Sequence, residues 1–573
     1  MFYTSRLKEI LLKKKVLSKK NIEILEKEAK KNKVNLMSYL IKKDIVTQKK
    51  LYNTIADFFK LPMVDLKNNN IRKDILYLVP ELIATSHKII AFDKKDNKLK
   101  IAVLNPDDIQ TFDFITKKTG LELELYIALP AQIEEALKQY RLSLKAEFKK
   151  ITEKPTQAQD EKKLKEMAKD LPIVRIVDSL LEHAIFERAS DVHIEPSEKE
   201  VTVRYRVDGI LRKVMTLPKN VHPGLVARIK ILSNLKLDEH RLPQDGRFKI
   251  ETKDYRISIR VSVMPMFDGE KIVMRLLNET GAALTLEQLG FLPEALAIVQ
   301  RNIKKPHGMI LVTGPTGSGK TTTLYSIVSI LNKPEVNIST VEDPVEYKME
   351  GINQSQVNPK IEYTFAKGLR SLLRQDPNII MVGEIRDGET AEIAVNAALT
   401  GHLVLSTLHT NDAATTLPRL GDMGVPPFLI AFTANMIVAQ RLVRKLCPDC
   451  KESYKLEKKT VTEMMQNYNI TDILKSLREL KIIKSKQNLS TITFYKPVGC
   501  GKCGNTGYKS RQGIYEVMEI KENIKKLILN KGNATEIAEE AKKSGMITLT
   551  MDGFIKAIQG ITSIEEVMRV TKE

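Results

Sequence analysis

The chain is poor in the residues that mark several classes of protein. It has no tryptophan, and aromatic residues make up only 6% of its 573 positions, which removes one side chain favoured for stacking on nucleic-acid bases. Charged residues such as Arg6 and Lys8 interrupt the N-terminus and leave no room for the apolar core of a signal peptide. The longest apolar stretch, 425–440, contains Asn435 and Gln440 and is too short to span a membrane, so we expect a buried helix there. These absences predict a cytoplasmic protein.

Cysteine is also scarce, and its four copies form two identically spaced pairs. They are Cys447 with Cys450 and Cys500 with Cys503. A C-x-x-C pair lets two thiolates converge on one ion, and two such pairs complete a four-sulfur site of the structural zinc type. Disulfides are the alternative, which a reducing cytosol disfavours. The gap between the pairs exceeds that of a compact zinc ribbon, so we expect an insertion at about 455–489 to loop out.

The formal net charge is +21. Lysine is spread along the whole chain instead of being gathered in one tract with aromatic residues between. This pattern favours solvated helix faces, and the alternatives are a nucleic acid or an anionic membrane surface. Because the positive charge is spread along the chain, we expect no nucleic-acid partner.

The stretch 314–321, GPTGSGKT, fits the phosphate-binding pattern G-x-x-x-x-G-K-[ST] at every fixed position. Apolar residues 309–312 before it are typical of a buried strand, and helical spacing follows it. The glycines let backbone N–H groups turn toward phosphates, Lys320 reaches the β- and γ-phosphates, and Thr321 holds magnesium. The predicted nucleotide-binding residues are Gly314, Pro315, Thr316, Gly317, Ser318, Gly319, Lys320, Thr321 and Thr322.

Two further strand patterns end in carboxylates, at Glu342 and at Glu384. Ligands bind at the carboxyl ends of parallel strands, so both acids are expected beside the phosphate loop. One would orient and deprotonate a water while the other supports the magnesium shell; capping or surface acids are the alternative. A later apolar strand is flanked by His402 and His409. A histidine at such a strand end would sense a γ-phosphate by hydrogen bonding, although a structural histidine fits the same pattern.

Four segments are predicted. Residues 1–144 are helix-rich and then mixed, 145–170 form a charged linker, and 171–279 form an α+β domain whose strands carry alternating arginines. Residues 280–573 form the phosphate-loop domain, which includes a cysteine-bearing subdomain at about 441–520. The alternation puts Arg204 and Arg206 on one strand face, toward solvent or a phosphate.

The ordered motifs from about 171 to 571 resemble those of the secretion-superfamily ATPases of the type II secretion and type IV pilus assembly class. They lie at 188–196, 204–209, 243–247, 314–321, 341–347, 373–377, 383–387, 400–411, 507–516, 552–553 and 560–562, with the cysteine pairs among them. The resemblance implies an α/β multidomain fold: a RecA-like P-loop ATPase core with a four-cysteine zinc subdomain, preceded by a PAS-like α+β domain and a helix-rich N-terminal domain.

The resemblance also implies a hexamer in which ATP sits between the arginine-bearing segment and the nucleotide-binding core. It implies catalytic roles for Lys320, Glu342, Glu384 and His409, and it makes Arg206, Arg247 and Arg260 candidate arginine fingers. The implied cofactors are ATP, Mg²⁺ and Zn²⁺. The implied function is ATP hydrolysis that powers assembly of type IV pili or type II secretion pseudopili through an inner-membrane platform protein, at the cytoplasmic face of that membrane. The alternative is a nucleic-acid-translocating ATPase with the same phosphate loop.

The N-terminal region resembles the cyclic di-GMP-binding domain of the family, which has a repeated helical unit. The first copy has Lys8 and Lys15 where the family unit has glycines, and the second has Asn35, Met37 and Asp44 at its arginine and two glycine positions. Close approach of backbone to a phosphate needs glycine, and an aspartate would add repulsion. We therefore expect the fold of this domain without cyclic di-GMP binding.

Overall fold

The computed structural model describes residues 4–32, 34–67, 71–140, 166–252, 256–279, 283–500, 503–504 and 506–572. The chain divides into two compact units, Met1–Asn278 and Glu279–Glu573. The charged linker predicted for 145–170 lies outside the described residues as far as 165. Among the described residues, no helix is both long enough and apolar enough to cross a lipid bilayer.

The first unit begins with a helical part followed by a small sheet. Its elements are α1 (Thr4–Lys13), α2 (Lys19–Lys31), α3 (Leu36–Lys42), α4 (Gln48–Phe59), α5 (Lys73–Leu76), α6 (Glu81–His87), β1 (Ile89–Lys95), β2 (Lys98–Val103), α7 (Ile109–Thr119), β3 (Glu122–Ile127) and α8 (130–140). Strand β2 pairs with β1 antiparallel and with β3 parallel. One apolar cluster lies beneath these helices and strands, so they share a core.

The two predicted helical copies, α1 and α3, end in the same way. Lys15 and Asp44 follow them in the left-handed region, with φ of 52° and 53°. Each copy closes with the same pair of backbone hydrogen bonds: Lys15 N–H to Leu12 O and Val16 N–H to Leu11 O in the first, Asp44 N–H to Ile41 O and Ile45 N–H to Leu40 O in the second. This is the Schellman arrangement, which usually has glycine at the left-handed position. The copies are thus equivalent in structure even though lysine and aspartate stand at that position.

The first unit continues with a six-stranded antiparallel sheet and two helices. The elements are α9 (Leu171–Phe186), β4 (Asp191–Pro196), β5 (Glu200–Val207), β6 (Ile210–Pro218), a 3₁₀ turn (Lys219–Val221), α10 (His222–Leu232), β7 (Gln244–Glu251), β8 (Arg256–Met266) and β9 (Gly269–Asn278). The strand order is β6-β5-β4-β9-β8-β7. On β5, Val201, Val203 and Tyr205 are buried, while Arg204 and Arg206 alternate with them and point to the other face. The period of two predicted from the sequence is therefore confirmed.

The second unit is built on a seven-stranded sheet with the order β12-β11-β13-β14-β10-β15-β18. The strands are β10 (Gly308–Thr313), β11 (Ile338–Glu342), β12 (Asn353–Gln356), β13 (Ile379–Val382), β14 (Leu403–Leu408), β15 (Ala434–Leu446) and β18 (Tyr508–Glu519). All neighbours pair parallel except β15 with β18. Alternate residues of β10 enter two different apolar clusters, so the strand is covered on both faces as a central parallel strand must be.

Helices cover this sheet and extend beyond it. They are α11 (Leu286–Leu289), α12 (Pro293–Asn302), α13 (Lys320–Leu331), α14 (Phe365–Leu372), α15 (Gly388–Leu399), α16 (Thr416–Asp422), α17 (Pro427–Thr433), α18 (Lys458–Asn467), α19 (Ile470–Glu479), α20 (Glu522–Leu529), α21 (Ala534–Lys543), α22 (Leu549–Ile558) and α23 (Ile564–Thr571), with a 3₁₀ turn at Pro359–Ile361. The result confirms the predicted mixed α/β fold.

The buried helix predicted at 425–440 is wrong over most of its length. Only α17 is helical, and from Ala434 the chain forms β15, which pairs with β10 and β18. A continuous apolar run fits a buried helix and a buried strand equally well by periodicity alone. The β-branched Ile437 and Val438, both fully buried, favour the strand once neighbouring strands are available on both sides.

The predicted insertion between the cysteine pairs is a folded element. Strands β16 (Glu452–Lys455) and β17 (Thr493–Lys496) pair antiparallel and enclose α18 (Lys458–Asn467) and α19 (Ile470–Glu479). Its apolar residues share a core with α22 and α23, in which Phe494 and Phe554 are fully buried. The insertion therefore packs onto the C-terminal helices.

Candidate functional site

The phosphate loop connects the central strand β10 to the N-terminus of α13. Gly314, Gly317 and Gly319 have φ of 141°, 80° and 92°, which L side chains rarely adopt. A Cβ at Gly314 would also lie 2.5 Å from the backbone oxygen of Gln440. Lys320 opens α13, and Thr321 and Thr322 lie in its first turn. The loop thus places the free N–H groups of a helix N-terminus around a cradle suited to phosphate.

Lys320 lies inside this cradle. Its ammonium donates to the carbonyl oxygens of Gly314 at 2.8 Å and Pro315 at 3.3 Å. Burial lowers the pKa of Lys320, the carboxylate of Glu384 opposes that change, and the positive charge of Arg441 adds to it. An ammonium held by neutral carbonyl oxygens is available to a phosphate oxygen, which is a stronger acceptor.

Gln440, which the sequence analysis noted only as a polar residue in an apolar stretch, clamps the loop to α13. It is 1% exposed. Its Nε2 donates to the backbone oxygen of Ser318 at 2.7 Å, and its Oε1 accepts from Thr323 Oγ1 at 2.8 Å. A glutamine inside an otherwise apolar strand pattern is the signal that could have marked this residue, because a buried amide needs partners.

Glu342 ends β11 and is 3% exposed. It accepts hydrogen bonds from Tyr325 at 2.5 Å, Thr340 at 2.6 Å and Gln354 at 3.3 Å. Burial raises the pKa of Glu342, while these three hydrogen bonds oppose the change. A carboxylate has about four acceptor positions. Three of these positions are used in Glu342, and the fixed orientation of its carboxylate leaves the fourth position for one further donor.

Glu384 and His409 lie together, as the order of strands predicts. Glu384 follows β13 and His409 follows β14, and these strands are parallel neighbours. His409 Nε2 lies 3.2 Å from one carboxylate oxygen of Glu384, and Arg386 forms an ion pair with the other. The Glu384 side chain is 12% exposed and that of His409 is 49% exposed. The largely buried Glu384 carboxylate is thus held by two more exposed side chains, His409 and Arg386. The sequence analysis did not identify Arg386.

A chain of hydroxyl groups joins the start of the phosphate loop to the segment after His409. Thr313, the last residue of β10, accepts from the N–H of Thr410 at 2.9 Å, and the two hydroxyls lie 2.7 Å apart. Thr410 Oγ1 lies 2.7 Å from Thr416 Oγ1. All three threonines are buried. The histidine segment therefore has a fixed position relative to the loop.

The candidate arginines of the first unit belong to one row across its antiparallel sheet. The register pairs Arg247 with Arg260, Arg260 with Arg275, Arg275 with Asp191, and Asp191 with Arg206. Directly paired residues share a sheet face. Asp191 forms ion pairs with Arg275 at 3.0 Å and Arg206 at 3.4 Å. The row thus combines four guanidinium groups with one carboxylate, and Arg275 is a member that the sequence analysis missed.

The four cysteines converge. The sulfur atoms of Cys447 and Cys500 lie 3.6 Å apart, those of Cys450 and Cys503 3.9 Å, and those of Cys500 and Cys503 3.5 Å. All are free thiols, and all four sulfurs lie within 4.8 Å of one another. A tetrahedral ion with metal–sulfur bonds of about 2.3 Å needs sulfurs about 3.8 Å apart. The donor number, kind and spacing fit a structural zinc ion.

Backbone groups support this sulfur cluster. Cys503 Sγ accepts hydrogen bonds from the N–H groups of Cys500 and Gly507, both at 3.1 Å. N–H donors of this kind favour the thiolate and fix its orientation, as groups that hydrogen-bond to the ligands do at metal sites. Cys447 follows β15 directly, and its N–H donates to Gly507 O at 2.9 Å.

Comparison with protein families gives two matches. The family model described as "Type II/IV secretion system protein" matches residues 166–569. The model described as "MshEN domain" matches residues 59–147.

Similar proteins extend these matches. The "Type IV pilus assembly ATPase PilB" of Myxococcus xanthus is 40% identical over 576 residues, covering 99% of this chain and 98% of its own. The "Type II secretion system protein E" of Pseudomonas aeruginosa is 45% identical over 410 residues, covering 72% of this chain and 78% of its own. The solved structure of the Yersinia pseudotuberculosis ATPase DotB is 21% identical with a TM-score of 0.50, covering 69% of this chain and 92% of that one. The last likeness concerns the fold alone.

Proposed function

Because the chain belongs to the family of type II/IV secretion system ATPases and hydrolyses ATP, we propose that it powers assembly of type IV pili or type II secretion pseudopili. The observation that carries the proposal is the end-to-end similarity to a protein named as a pilus assembly ATPase. The convergence of Lys320, Glu384 and His409 at one sheet edge supports it.

The proposed nucleotide site divides the work among four side chains. The loop N–H groups and Lys320 bind the phosphates of ATP. Glu342, whose pKa burial raises, accepts the proton of the attacking water with its remaining acceptor position. Glu384 orients water in the magnesium shell, and His409, bonded to Glu384, responds to the γ-phosphate.

Magnesium would be held mainly by Thr321 and the nucleotide, and when bound it neutralises charge on the phosphates. Thr321 lies in the first turn of α13, where the loop pattern places the magnesium ligand.

The arginine row is the proposed second half of the catalytic machinery. Like charges directly opposite each other destabilise a sheet, and the row has four arginines for one aspartate. A phosphate would relieve that imbalance. We assign Arg206, Arg247 and Arg260, together with Arg275, to contact with the nucleotide of an assembled ring.

The remaining parts of the proposal concern assembly. We propose a homohexamer acting at the cytoplasmic face of the inner membrane on a platform protein, and a zinc ion bound by Cys447, Cys450, Cys500 and Cys503. We expect no cyclic di-GMP binding by the N-terminal repeat, because Lys15 and Asp44 occupy the left-handed positions where a close phosphate would need glycine.

The proposal can be tested with the purified protein and by gene replacement in the source organism. We expect wild-type chain to form a hexamer by light scattering and to hydrolyse ATP without DNA. Lys320→Ala should lose nucleotide binding, and Glu384→Gln should bind ATP but stall turnover. Replacing the chromosomal gene with either variant should abolish surface pili or secretion. Hydrolysis only in the presence of DNA, or normal turnover by Glu384→Gln, would contradict the proposal.

A further inference from the structure

Glu516 lies in the second half of β18 and is 6% exposed. One of its carboxylate oxygens accepts a hydrogen bond from the N–H of Ala413 at 2.9 Å, and the other accepts from the N–H of Leu549 at 3.4 Å. These two donors are far apart in sequence. A single buried carboxylate therefore joins two separate pieces of backbone.

The first piece is the segment that carries His409. Ala413 follows His409 by four positions, and Thr410 between them is bonded to Thr313 at the end of β10. Asp412 accepts from the N–H of Thr415 at 2.7 Å, which closes the turn that presents the Ala413 N–H. Movement of His409 would therefore be transmitted along a short, hydrogen-bonded segment.

The second piece is the N-terminus of α22. Leu549 is the first residue of that helix, so its N–H has no partner within the helix. A carboxylate is favoured there by the helix dipole. On its other face α22 packs Met551, Phe554 and Ile555 into the core of the cysteine-bearing insertion. A displacement of α22 would therefore also displace the cysteine-bearing insertion, because the two share a core.

A purely structural contact does not require a buried carboxylate, whose charged form is destabilised by the loss of its hydration. The pKa of Glu516 is raised to about 7, because burial and the charge of Asp412 raise it by more than the two N–H donors and Lys542 on α21 lower it. The facing residue on β15 is Ala439, and the Asp552 carboxylate of α22 is engaged by Lys556 and by the N–H of Tyr515. No basic side chain among the described residues forms an ion pair with Glu516.

We propose that Glu516 is a positioning residue that couples the His409 segment to α22, so that the state of the nucleotide is passed to the C-terminal helices and the four-cysteine subdomain. The inference rests on the proposed role of His409. A carboxylate accepts both N–H donors at once. A carboxamide must release one of them because its nitrogen accepts no hydrogen bond, and the hydroxyl oxygen of a protonated acid accepts more weakly than a carboxylate oxygen. The coupling is therefore strongest in the charged form and weakens when Glu516 is protonated.

The test is Glu516→Gln in the full-length hexamer, with kcat and KM for ATP measured from pH 5.5 to 8.5. We expect kcat to fall on the order of 10-fold at pH 8, as for loss of one buried hydrogen bond, with KM changed by less than about 2-fold. Wild-type kcat should decrease as the pH falls through about 7, and the variant should lack that inflection. The matched control is Asp552→Asn, which alters a neighbouring buried carboxylate and should keep the inflection.

A second measurement needs no variant. Hydrogen–deuterium exchange of wild-type protein, with and without a non-hydrolysable ATP analogue, should change together in the segments 410–416 and 547–552. A change in the first without the second would overturn the coupling, as would a Glu516→Gln enzyme with wild-type kcat and pH profile. If Glu384→Gln remained active, the proposed function would fail instead, whatever Glu516 did.

Discussion

At the scale of single residues, the phosphate loop depends on a side chain outside its own motif. Gln440 holds both the Ser318 carbonyl and the Thr323 hydroxyl. Gln440→Leu would remove the hydrogen bond that the amide makes to each group, and a buried polar group that loses its partner costs about 1–3 kcal/mol. We expect ATP affinity to fall by at least about 10-fold, measured by titration with a fluorescent nucleotide.

The control for Gln440 is Thr323→Val, which removes only the hydroxyl partner. The bond to Ser318 stays, so the loop keeps its position and the affinity should fall less. Equal losses in the two variants would show that the contact with Ser318 does not position the loop.

The candidate site residues that the sequence identifies belong to local motifs. Lys320 was marked by the glycine pattern, and Glu384 and His409 by the ends of apolar strands. Gln440 and Arg275 were missed for a physical reason: Gln440 acts on a residue 122 positions away, and the row containing Arg275 exists only through strand register. Long-range pairing of this kind leaves no local pattern.

At the scale of elements, the cysteine cluster fixes the end of β15 beside the insertion. Cys450→Ser removes one of four sulfur ligands, and structural zinc sites contribute directly to folding. We expect the variant to lose its zinc, measured by atomic emission, and to melt at a lower temperature than wild type. Asp449→Asn, an exposed change between the first pair of cysteines, should keep both. A wild-type protein that binds no zinc would contradict the assignment.

Glu566 provides a second clamp, between α23 and β15. Its carboxylate, 1% exposed, accepts from Arg444 at 2.7 Å and Arg569 at 2.6 Å. Burial opposes ionisation, but the hydrogen bonds from Arg569 and Arg444 outweigh it and hold the pKa of Glu566 at about 2, below its ordinary 4.5. A depressed pKa stabilises the fold above the unfolded value, and this stabilisation is lost as the pH falls from about 4.5 toward 2.

We expect Glu566→Gln to cost roughly 2–3 kcal/mol at pH 7. The gap in melting temperature between variant and wild type should then narrow as the pH is lowered from 4.5 to 3. Differential scanning calorimetry at several pH values measures this. Glu565→Gln, an exposed neighbour, serves as the control and should show no such gap. A gap for Glu566→Gln that is independent of pH would exclude the ionised clamp.

The sequence predicted whether a segment is a helix or a strand wherever its apolar residues followed a single period. The alternation on β5 and the helical spacing of α1 and α3 predicted those elements correctly. For residues 434–440 the predicted helix is wrong, because a strand that is buried on both faces shows no alternation of apolar and polar residues. Lys15 and Asp44 show a related limit: the left-handed turn persists without its glycine because the backbone hydrogen bonds around it are kept.

At the scale of the whole molecule, the proposed catalytic groups belong to two different units of the chain. The described phosphate loop and carboxylates belong to Glu279–Glu573, and the arginine row belongs to Met1–Asn278. If the row acts on the transferred phosphate, its loss should affect turnover and spare nucleotide binding, because the binding groups are in the other unit.

Arg260→Ala tests this division. Arg260 is the middle member of three arginines in register, so its removal weakens the row at its most concentrated point. We expect kcat to fall on the order of 1,000-fold, as for loss of an arginine finger, with ATP affinity within about 2-fold of wild type. Arg256→Ala is the matched control, since Arg256 lies on the same strand but pairs with Glu251. Equal losses of turnover in both variants would mean that general charge on β8, and not the row, supports hydrolysis.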